Sequence, residues 1–525
     1  MAIQFYNSLT QQKETFQPGD AARVRIYSCG PTVYNFNHLG NFRAYVFVDV
    51  LRRYLQYRGY GVDHTMNITD VEDKIIENAH KHGQNIREFT APFVRAFLED
   101  LEYLAIEDVE HRPRATEHIA AMIALMQSLE KSGHLYSVKG NVYFKLNSYD
   151  DYGRLSRLDM SELKTAADGR FAADEYTKED ARDFALWKAP ATDYEERWPS
   201  PWGDGRPGWH LECSAMIREQ YGANGVDIHT GGIDLLFPHH ENEIAQSCCA
   251  YPSDNFVRYW LHNEHLLVEG KKMSKSLHNF FTLRDLTRPE AAEQAVVDES
   301  ARRLVLRLIR RGHMPRAMRH LLMSTHYRQK LNFTFEALNA SDQACERLQH
   351  ALQRWKEIAG INAESEMTEL MRVERERTHF DSQPERVKDD SKLVNTARLA
   401  FIRALDDDLN IARAFAALFD LVRSMNIKLE QNELKADEAR DALVFLMHTN
   451  RVLGFLDFNV HENAAPDSGD DMDDDEAARI ESLIAQRNTA RAAKDFATAD
   501  SIRDRLLNEG IQIKDTPDGT RWERV

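Results

Sequence analysis

The 525-residue sequence has few cysteines and no long apolar segment. No run of about 18 apolar residues occurs, so we expect no membrane-spanning helix. Residues 1–16 lack the apolar core of a secretory signal and the Arg-rich amphipathic pattern of an organelle-targeting leader. Five cysteines in a chain of this length do not make a disulfide framework. These absences predict a cytoplasmic protein in which cysteines near His or Glu are metal ligands or nucleophiles.

Basic residues are outnumbered, and the formal net charge is −17. This argues only weakly against a nucleic-acid partner, because binding depends on where the basic groups lie rather than on their sum. Much of the acidic excess falls in residues 467–476, whose composition is typical of a solvated linker. The segment that follows is close to neutral, so charge excludes no class of partner.

Hydrophobic periodicity predicts an α/β chain that continues into helices. A buried strand at 24–29, a helix at 41–57 and a strand at 62–70 form the opening unit of a doubly wound Rossmann-type fold. A second α/β half begins near residue 225. After about residue 300 the pattern is helical, and no strand is expected before a terminal hairpin whose turn is 516–519.

The segment His38-Leu39-Gly40-Asn41 (HLGN) lies where the first predicted loop enters a helix. Backbone N–H groups at a helix start attract phosphate, and Gly40 permits close approach of the backbone. His38 and Asn41 can donate hydrogen bonds to phosphate oxygens. Taken alone, the pattern suits a helix cap with an exposed histidine better.

The segment Lys272-Met273-Ser274-Lys275-Ser276 (KMSKS) follows the second α/β half. Two lysines three residues apart can close on a polyphosphate and neutralise charge that develops in the transition state. A lysine-rich surface loop is the alternative interpretation. Because HLGN and KMSKS form a known pair, together they predict an ATP site in an enzyme that activates a carboxylate as an acyl-adenylate.

Four residues have the side chains of a zinc site. His239 and Glu243 are four apart at a predicted helix start and therefore share one face. Cys29 ends the first strand, and Cys213 lies in GWHLECSAM. Two thiolates, an imidazole and a carboxylate suit Zn²⁺ better than Mg²⁺ or Ca²⁺. From spacing alone, buried cysteines beside a surface helix remain an alternative, and HENEI is not HExxH because Ile244 stands at the second His position.

Several segments, in this order, resemble those of the cysteinyl-tRNA synthetases, a class I aminoacyl-tRNA synthetase family. They are GPTVYNFNHLGN, NITDVEDKI, PRATEHI, GRPGWHLECSAM, DIHTGGIDLLFPHHENEIAQ and KMSKS. The similarity continues through STHYRQKLNFT and RALDDDLNIARAF to KDFATADSIRDRL and DTPDGTRW, and so covers nearly the whole chain. It implies a monomer that activates L-cysteine with ATP and Mg²⁺ and transfers it to tRNA(Cys), with one Zn²⁺ per chain selecting cysteine over serine.

The resemblance also implies a domain order. Together with the sequence pattern it predicts a Rossmann-type catalytic domain with a connective insertion, an all-helical domain and a small α+β anticodon-binding unit. The expected bounds are 1–134 and 201–300 for the two catalytic halves, 135–200 for the insertion, 301–460 for the helical domain, 461–475 for the acidic linker and 476–525 for the terminal unit.

Site residues follow from the same resemblance. The expected catalytic residues are His38, Asn41, Lys272 and Lys275, with Lys275 stabilising the charge of the transition state. The expected ATP contacts are His38, Gly40, Asn41, Gly231, Gly232, Asp234 and Lys275. Thr69, Trp209 and His229 resemble the cysteine pocket, and Cys29, Cys213, His239 and Glu243 resemble the zinc ligands. Arg491, Phe496, Asp500 and Asp515 resemble the anticodon-reading residues.

The sequence departs from the family pattern at several places. The motif that class I synthetases commonly write as HIGH appears here as HLGN. His278 stands where the family commonly has Gly, and Phe496 stands where it usually has Trp. Residues 288–312 look like a longer surface connection that should tolerate shortening. A ligase that joins cysteine to an aminosugar would end after the helical part, and a non-catalytic tRNA-binding protein would tolerate loss of HLGN or KMSKS. This chain has HLGN and KMSKS, and it continues after the helical part through KDFATADSIRDRL and DTPDGTRW.

Overall fold

The computed structural model describes residues 2–158, 183–274, 277, 279–361, 366, 369–370, 391–457, 474–492, 495–508, 511–516 and 519–524. The chain divides into two compact units, Met1–Asn459 and Val460–Val525. Among the described residues, no helix combines the length and the apolar character needed to cross a membrane.

The first unit is a mixed α/β structure that continues into helices. Its main elements in chain order are β1 (Gln4–Asn7), β2 (Gln12–Thr15), β3 (Val24–Ser28), α1 (Leu39–Tyr57), β4 (Val62–Met66), α2 (Asp73–Lys81), α3 (Ile86–Tyr103), α4 (Ile119–Lys131), β5 (Leu135–Val138), β6 (Asn141–Phe144), β7 (Phe184–Lys188), β8 (Arg206–Pro207), α5 (Leu211–Tyr221), β9 (Val226–Gly232), α6 (Glu241–Ala250), β10 (Val257–Asn263), β11 (Leu266–Val268), β12 (Lys271–Lys272), α7 (Pro289–Ala295), α8 (Glu299–Arg310), α9 (Met314–Met323), β13 (Leu331–Phe333), α10 (Phe335–Ile358), α11 (Lys392–Asp406), α12 (Ile411–Glu430) and α13 (Ala436–Leu453).

A parallel four-stranded sheet in the order β10-β9-β3-β4 forms the centre of the catalytic half. Val24, Ile26 and Tyr27 are fully buried, as expected for a parallel strand covered on both faces. Ser28 pairs in register with both Met66 and Thr230, so the carboxyl ends of β3, β4 and β9 meet at one edge. Ligands of such sheets bind outside that edge. The Rossmann-type architecture predicted from the sequence is therefore present.

The connective insertion contains an antiparallel sheet in the order β5-β6-β7-β8. Its last strand, Arg206–Pro207, lies beyond the boundary expected at residue 200. Residues 159–182 of the insertion lie outside the described part of the chain.

One expectation for the region after residue 288 was wrong. The short strand β13 (Leu331–Phe333) pairs in parallel with β11, although no strand was expected there. Three residues are too few for a recognisable pattern, and the partner strand lies far away in sequence. Residues 288–312 form α7 and α8 and bury Ala292, Val305 and Leu308, and their tolerance of shortening stays a prediction.

Buried polar contacts join α1 to the helices that follow. The guanidinium of Arg319 in α9 forms an ion pair with Asp49 in α1, and both side chains are 1% exposed. The hydroxyl of Tyr54 donates a 2.6 Å hydrogen bond to Asp406 at the end of α11. Helix α1, which begins at HLGN, is thereby fixed along its length to the helical part of the same unit.

The second unit contains two helices and a hairpin. These are α14 (Asp474–Ala492), α15 (Phe496–Asn508), β14 (Ile511–Thr516) and β15 (Gly519–Arg524). A small apolar core forms between them, and its buried members are Ile480, Leu483, Ile484, Leu506, Ile511 and Ile513. Pro517 and Asp518 of the predicted turn lie outside the described residues.

Candidate active site and metal centre

HLGN forms a reciprocal cap at the start of α1. The Nδ1 atom of His38 accepts from the backbone N–H of Asn41 at 3.3 Å, and Asn41 Oδ1 accepts from the backbone N–H of His38 at 3.1 Å. Because Nδ1 is an acceptor, the proton of the neutral ring lies on Nε2. Burial lowers the pKa of His38, while the charge of Asp234 acts in the opposite direction. The cap therefore leaves His38 Nε2 and Asn41 Nδ2 as hydrogen-bond donors.

Gly40 packs against the KMSKS segment. A β-carbon at this position would lie 2.9 Å from His38 Cε1 and 3.1 Å from Met273 Cε. The side chain of Asn279 holds this segment: its Oδ1 accepts from Ser274 N at 2.9 Å, and its Nδ2 donates to Lys272 O at 3.2 Å. Lys272 is exposed in β12, and Lys275 lies outside the described residues. The structure thus brings together the two segments that the sequence paired.

Gly231, Gly232 and Asp234 lie at the carboxyl end of β9. A β-carbon on Gly231 would stand 2.7 Å from His240 Cε1, and one on Gly232 would stand 2.3 Å from Asp234 Oδ1. Glycine is required at position 231, because His240 is fully buried and cannot move away, whereas the exposed side chain of Asp234 can turn away from a β-carbon on Gly232. The exposed carboxylate of Asp234 is near enough to His38 to influence its pKa.

Cys29, Cys213, His239 and Glu243 form a compact cluster. Each offers one ligand atom, and these four atoms lie within 4.8 Å of one another. Cys29 follows β3, Cys213 is in α5, and His239 lies in a π-helical turn that leads into α6. His239 Nε2 is 3.1 Å from Glu243 Oε1, as their four-residue spacing predicts. All but the partly buried Cys29 are buried.

The donor atoms of this cluster fit a tetrahedral zinc ion. The two sulfur atoms are 3.9 Å apart. Two Zn–S bonds of about 2.3 Å at a tetrahedral angle give about 3.8 Å. His229 Nε2 lies 3.0 Å from Glu243 Oε2, and His239 Nε2 lies 3.1 Å from the other oxygen, Oε1. A buried carboxylate with an oxygen within 4.8 Å of two sulfurs and an imidazole nitrogen matches the chemistry of a metal ligand.

Electrostatics in the cluster favour the charged form of Cys213 and Glu243, whereas the hydrogen bond with Cys213 and burial raise the pKa of Cys29. A hydrogen bond with Cys29 outweighs burial and lowers the pKa of Cys213 to about 6. Burial raises the pKa of Glu243, but the opposing effects of His229 and His239 are larger and bring it to about 2. A metal ligand must be deprotonated, so one thiolate and one carboxylate are already favoured.

A second group of possible metal ligands shares two residues, Cys29 and Glu243, with this cluster. Cys29, His229, His240 and Glu243 also bring ligand atoms within 4.8 Å of one another. His240 Nε2 is 3.4 Å from Cys29 Sγ, and its Nδ1 is 2.8 Å from His262 Nε2. This set contains only one thiolate, so the set with Cys213 is the better match for zinc.

The three residues expected at the cysteine pocket occupy different environments. Trp209 is 41% exposed and stacks on His239, with ring centroids 4.4 Å apart. Thr69 follows β4, and its hydroxyl donates a 2.7 Å hydrogen bond to Glu212 Oε2. His229 is fully buried, contacts Glu243 and stacks on Trp260 at 4.6 Å. Trp209 is therefore the most accessible of the three.

Sequence reasoning did not single out several buried polar residues around the cluster. Glu212 and His240 adjoin predicted ligands in sequence, and Asn67 is two residues from Thr69. His210 Nδ1 lies 3.0 Å from His239 Nδ1 and so helps to leave His239 Nε2 for a metal. Adjacency to a ligand was the only available signal, and it does not reveal which side chains turn inward.

The residues expected to read the anticodon lie in the second unit. Arg491 is in the last turn of α14 and Asp500 is in α15, and both are exposed. Phe496 begins α15, and Asp515 pairs in register with Thr520 across the hairpin. The side chains of Phe496 and Asp515 lie outside the described part of the structure.

Comparison with known proteins identifies the family. Residues 15–297 match the tRNA synthetases class I (C) catalytic domain, 400–457 the DALR domain, and 473–522 the cysteinyl-tRNA ligase anticodon binding domain. The chain is 46% identical to the cysteine–tRNA ligase of Leptospira interrogans (serovar Lai, strain 56601), with 99% of each chain covered. The chain belongs to the cysteine–tRNA ligase family. Another family member, from Brachyspira hyodysenteriae, is 42% identical with the same coverage.

Solved structures of other class I synthetases share the fold. Mycobacterium tuberculosis methionyl-tRNA synthetase in complex with methionyl-adenylate matches with a TM-score of 0.54 and 15% identity, covering 82% of this chain and 89% of that one. The agnB2 LeuRS of Agrobacterium radiobacter K84, in a ternary complex with tRNA and LeuAMS, matches with a TM-score of 0.52 and 11% identity, covering 84% of each chain. These likenesses support the class I fold of this ligase-family member.

Proposed function

We propose that this chain activates L-cysteine with ATP to cysteinyl-adenylate and pyrophosphate, and then transfers the cysteine to the 3′-terminal adenosine of tRNA(Cys). The observation that carries the cysteine specificity is the pair of sulfur atoms of Cys29 and Cys213, 3.9 Å apart, beside the buried carboxylate of Glu243. Family membership supports the ATP and tRNA steps. Zinc, and its use to discriminate substrates, belong to the proposal.

In the activation step, the cysteine carboxylate attacks the α-phosphorus of ATP and pyrophosphate leaves. His38 Nε2 and Asn41 Nδ2, the donors left by the cap, bind phosphate oxygens at the start of α1. Lys272 and Lys275 neutralise the charge that accumulates on the leaving pyrophosphate. Gly231, Gly232 and Asp234 bind the adenosine at the edge of the sheet.

Substrate selection depends on the cluster of Cys29, Cys213, His239 and Glu243. Cysteine and serine differ by one atom, and pocket shape alone separates such isosteres poorly. Cys29, Cys213, His239 and Glu243 would hold Zn²⁺, which favours an ionised thiol as a ligand and leaves a serine hydroxyl a weak one. Trp209 stacks on His239, and His229 Nε2 lies 3.0 Å from Glu243 Oε2, so both residues help to orient ligating side chains.

The test is amino-acid-dependent pyrophosphate exchange together with metal analysis. We expect exchange with cysteine and little with serine, and about one zinc per chain. Cys213→Ser should lose the metal and cysteine-dependent exchange. Cys345→Ser, at a buried cysteine whose sulfur contacts only Arg316 O among the described hydrogen bonds, is the matched control and should keep both. Full cysteine-dependent exchange in verified metal-free protein would falsify the zinc role.

A further inference from the structure

A continuous line of buried hydrogen bonds connects the neighbours of the two cluster cysteines. Gly30, which follows Cys29, donates its N–H to Asn67 Oδ1 at 2.9 Å. Asn67 Nδ2 donates to Thr69 Oγ1 at 3.3 Å, and Thr69 Oγ1 donates to Glu212 Oε2 at 2.7 Å. Glu212 directly precedes Cys213. The three side chains are at most 3% exposed.

The donor and acceptor roles along this line are fixed. Asn67 Oδ1 accepts from a backbone N–H, so its amide nitrogen must be the donor to Thr69. A hydroxyl carries one proton, and Thr69 gives it to Glu212. Glu212 Oε1 has no hydrogen-bond partner among the described residues, so the bond from Thr69 is the one that holds this buried carboxyl.

The loops after β3 and β4 are already joined through their backbones. Thr69 N donates to Pro31 O at 3.0 Å, and Val33 N donates to Thr69 O at 3.1 Å. A β-carbon on Gly30 would lie 1.7 Å from Asn67 O, so these two loops are in direct contact. The position of Cys29 is therefore fixed relative to Thr69.

Helix α5, which carries Cys213, is joined to these strands by side chains. At its far end, Tyr221 Oη lies 2.7 Å from Thr65 Oγ1. Near the cluster, Gln246 Nε2 donates to His210 O and Ser214 Oγ to Glu243 O, which joins this end of the helix to α6. The described hydrogen bond that joins this end to the loop after β4 is the one between Thr69 and Glu212. That bond therefore constrains the distance between the two sulfur atoms, which is 3.9 Å.

We propose that Glu212, Thr69 and Asn67 are positioning residues that preset the separation of the Cys29 and Cys213 thiolates for zinc. The inference rests on the metal role stated under Proposed function. Removing a group that orients a metal ligand typically lowers metal affinity 10- to 100-fold. Thr69 thus acts on the metal centre through Glu212, in addition to any contact with the substrate.

The test measures the zinc affinity of the full-length protein by competition with a chromophoric chelator. Thr69→Val removes the hydroxyl at nearly constant shape and should lower zinc affinity roughly 10- to 100-fold. Thr69→Ser keeps the hydroxyl and should bind zinc almost as well as the original protein. Thr116→Val is the matched control, because it removes an equally short 2.7 Å hydroxyl–carboxylate bond, to Asp70, which follows Thr69 in sequence but has no described hydrogen bond to Glu212 or the cluster.

A double-mutant cycle separates positioning from general destabilisation. Glu212→Leu should lower zinc affinity, and adding Thr69→Val should lower it little further, because both changes break the same bond. Independent, additive losses would overturn the proposal, as would a Thr69→Val protein that binds zinc as tightly as Thr116→Val. If Cys213→Ser still binds zinc, the metal site itself is wrong. If only Cys213→Ser loses zinc, the site stands and the positioning role fails.

Discussion

Gly40 and Met273 pack against each other, so HLGN and KMSKS are in direct contact. A β-carbon on Gly40 would lie 3.1 Å from Met273 Cε and 2.9 Å from His38 Cε1. His38 is also the residue that caps α1. One added methyl group would therefore affect both halves of the proposed ATP site.

We predict that Gly40→Ala slows cysteine-dependent pyrophosphate exchange by roughly tenfold or more, since small displacements of positioning groups are costly to catalysis. The displaced His38 ring would lose its cap to Asn41. Steady-state exchange at varied ATP measures the effect. Shortening Met273 to Ala in the Gly40→Ala background should recover part of the rate, with Met273→Ala alone as the control. An unaltered rate in Gly40→Ala would contradict the close packing of Gly40 against His38 and Met273.

Asp49→Ala should destabilise the first unit by about 3–5 kcal/mol, because it leaves the Arg319 guanidinium buried without its carboxylate partner. Asp49 also accepts from Arg53 Nε at 2.8 Å. Glu299→Ala, which removes the exposed ion pair with Arg303, should cost less than about 1 kcal/mol. Denaturant unfolding measures both. Similar losses in the two variants would show that burial does not decide the contribution of the Asp49 pair.

His320 should make the protein sensitive to acid. Burial, and to a smaller extent Arg347, lowers its pKa to about 4, and neither ring nitrogen has a hydrogen-bond partner among the described residues. In the unfolded chain this histidine has an ordinary pKa of about 6.5 and binds a proton first, so its contribution to stability falls as the pH drops from about 6.5 to about 4. Between pH 7 and pH 5 the loss is about 2 kcal/mol.

Replacing His320 by Phe removes this titration and keeps an aromatic ring beside Phe415, whose ring centroid lies 4.7 Å away. The free energy of unfolding of His320→Phe should fall less between pH 7 and pH 5 than that of the unchanged protein. Denaturant unfolding at both pH values is the measurement. An equal fall in both proteins would mean that other groups cause the acid sensitivity.

A chain that ends at residue 457 should keep cysteine-dependent pyrophosphate exchange and lose most tRNA charging. The motifs for adenylate formation and the described helical part lie in the unit Met1–Asn459, whereas Arg491 and Asp500 lie in Val460–Val525. Exposed arginines and aromatic groups are the usual means of binding single-stranded bases. Asp515→Ala in the full chain is the finer test, with an expected rise in the KM for tRNA and unchanged exchange. If the truncated chain charges its tRNA as well as the full chain does, the unit Val460–Val525 does not read the anticodon.

The sequence by itself determined the class of fold and the identity of the ligand-type residues. Strand β3 and helix α1 follow from local periodicity, because each buries an apolar stripe. His239 and Glu243 share a face because four residues make about one helical turn. HLGN and KMSKS were paired through resemblance, and their contact in the structure agrees with that pairing.

Only the tertiary structure decided which polar residues turn inward and where distant segments meet. Thr69 and Glu212 are 143 residues apart in sequence, and no local pattern predicts their hydrogen bond. The burial of His320, the short strand at Leu331–Phe333 and the packing of residues 288–312 likewise depend on partners far along the chain. Local propensity reflects the conformational energy of one segment by itself. These features are stabilised by contacts that exist only after the chain has folded.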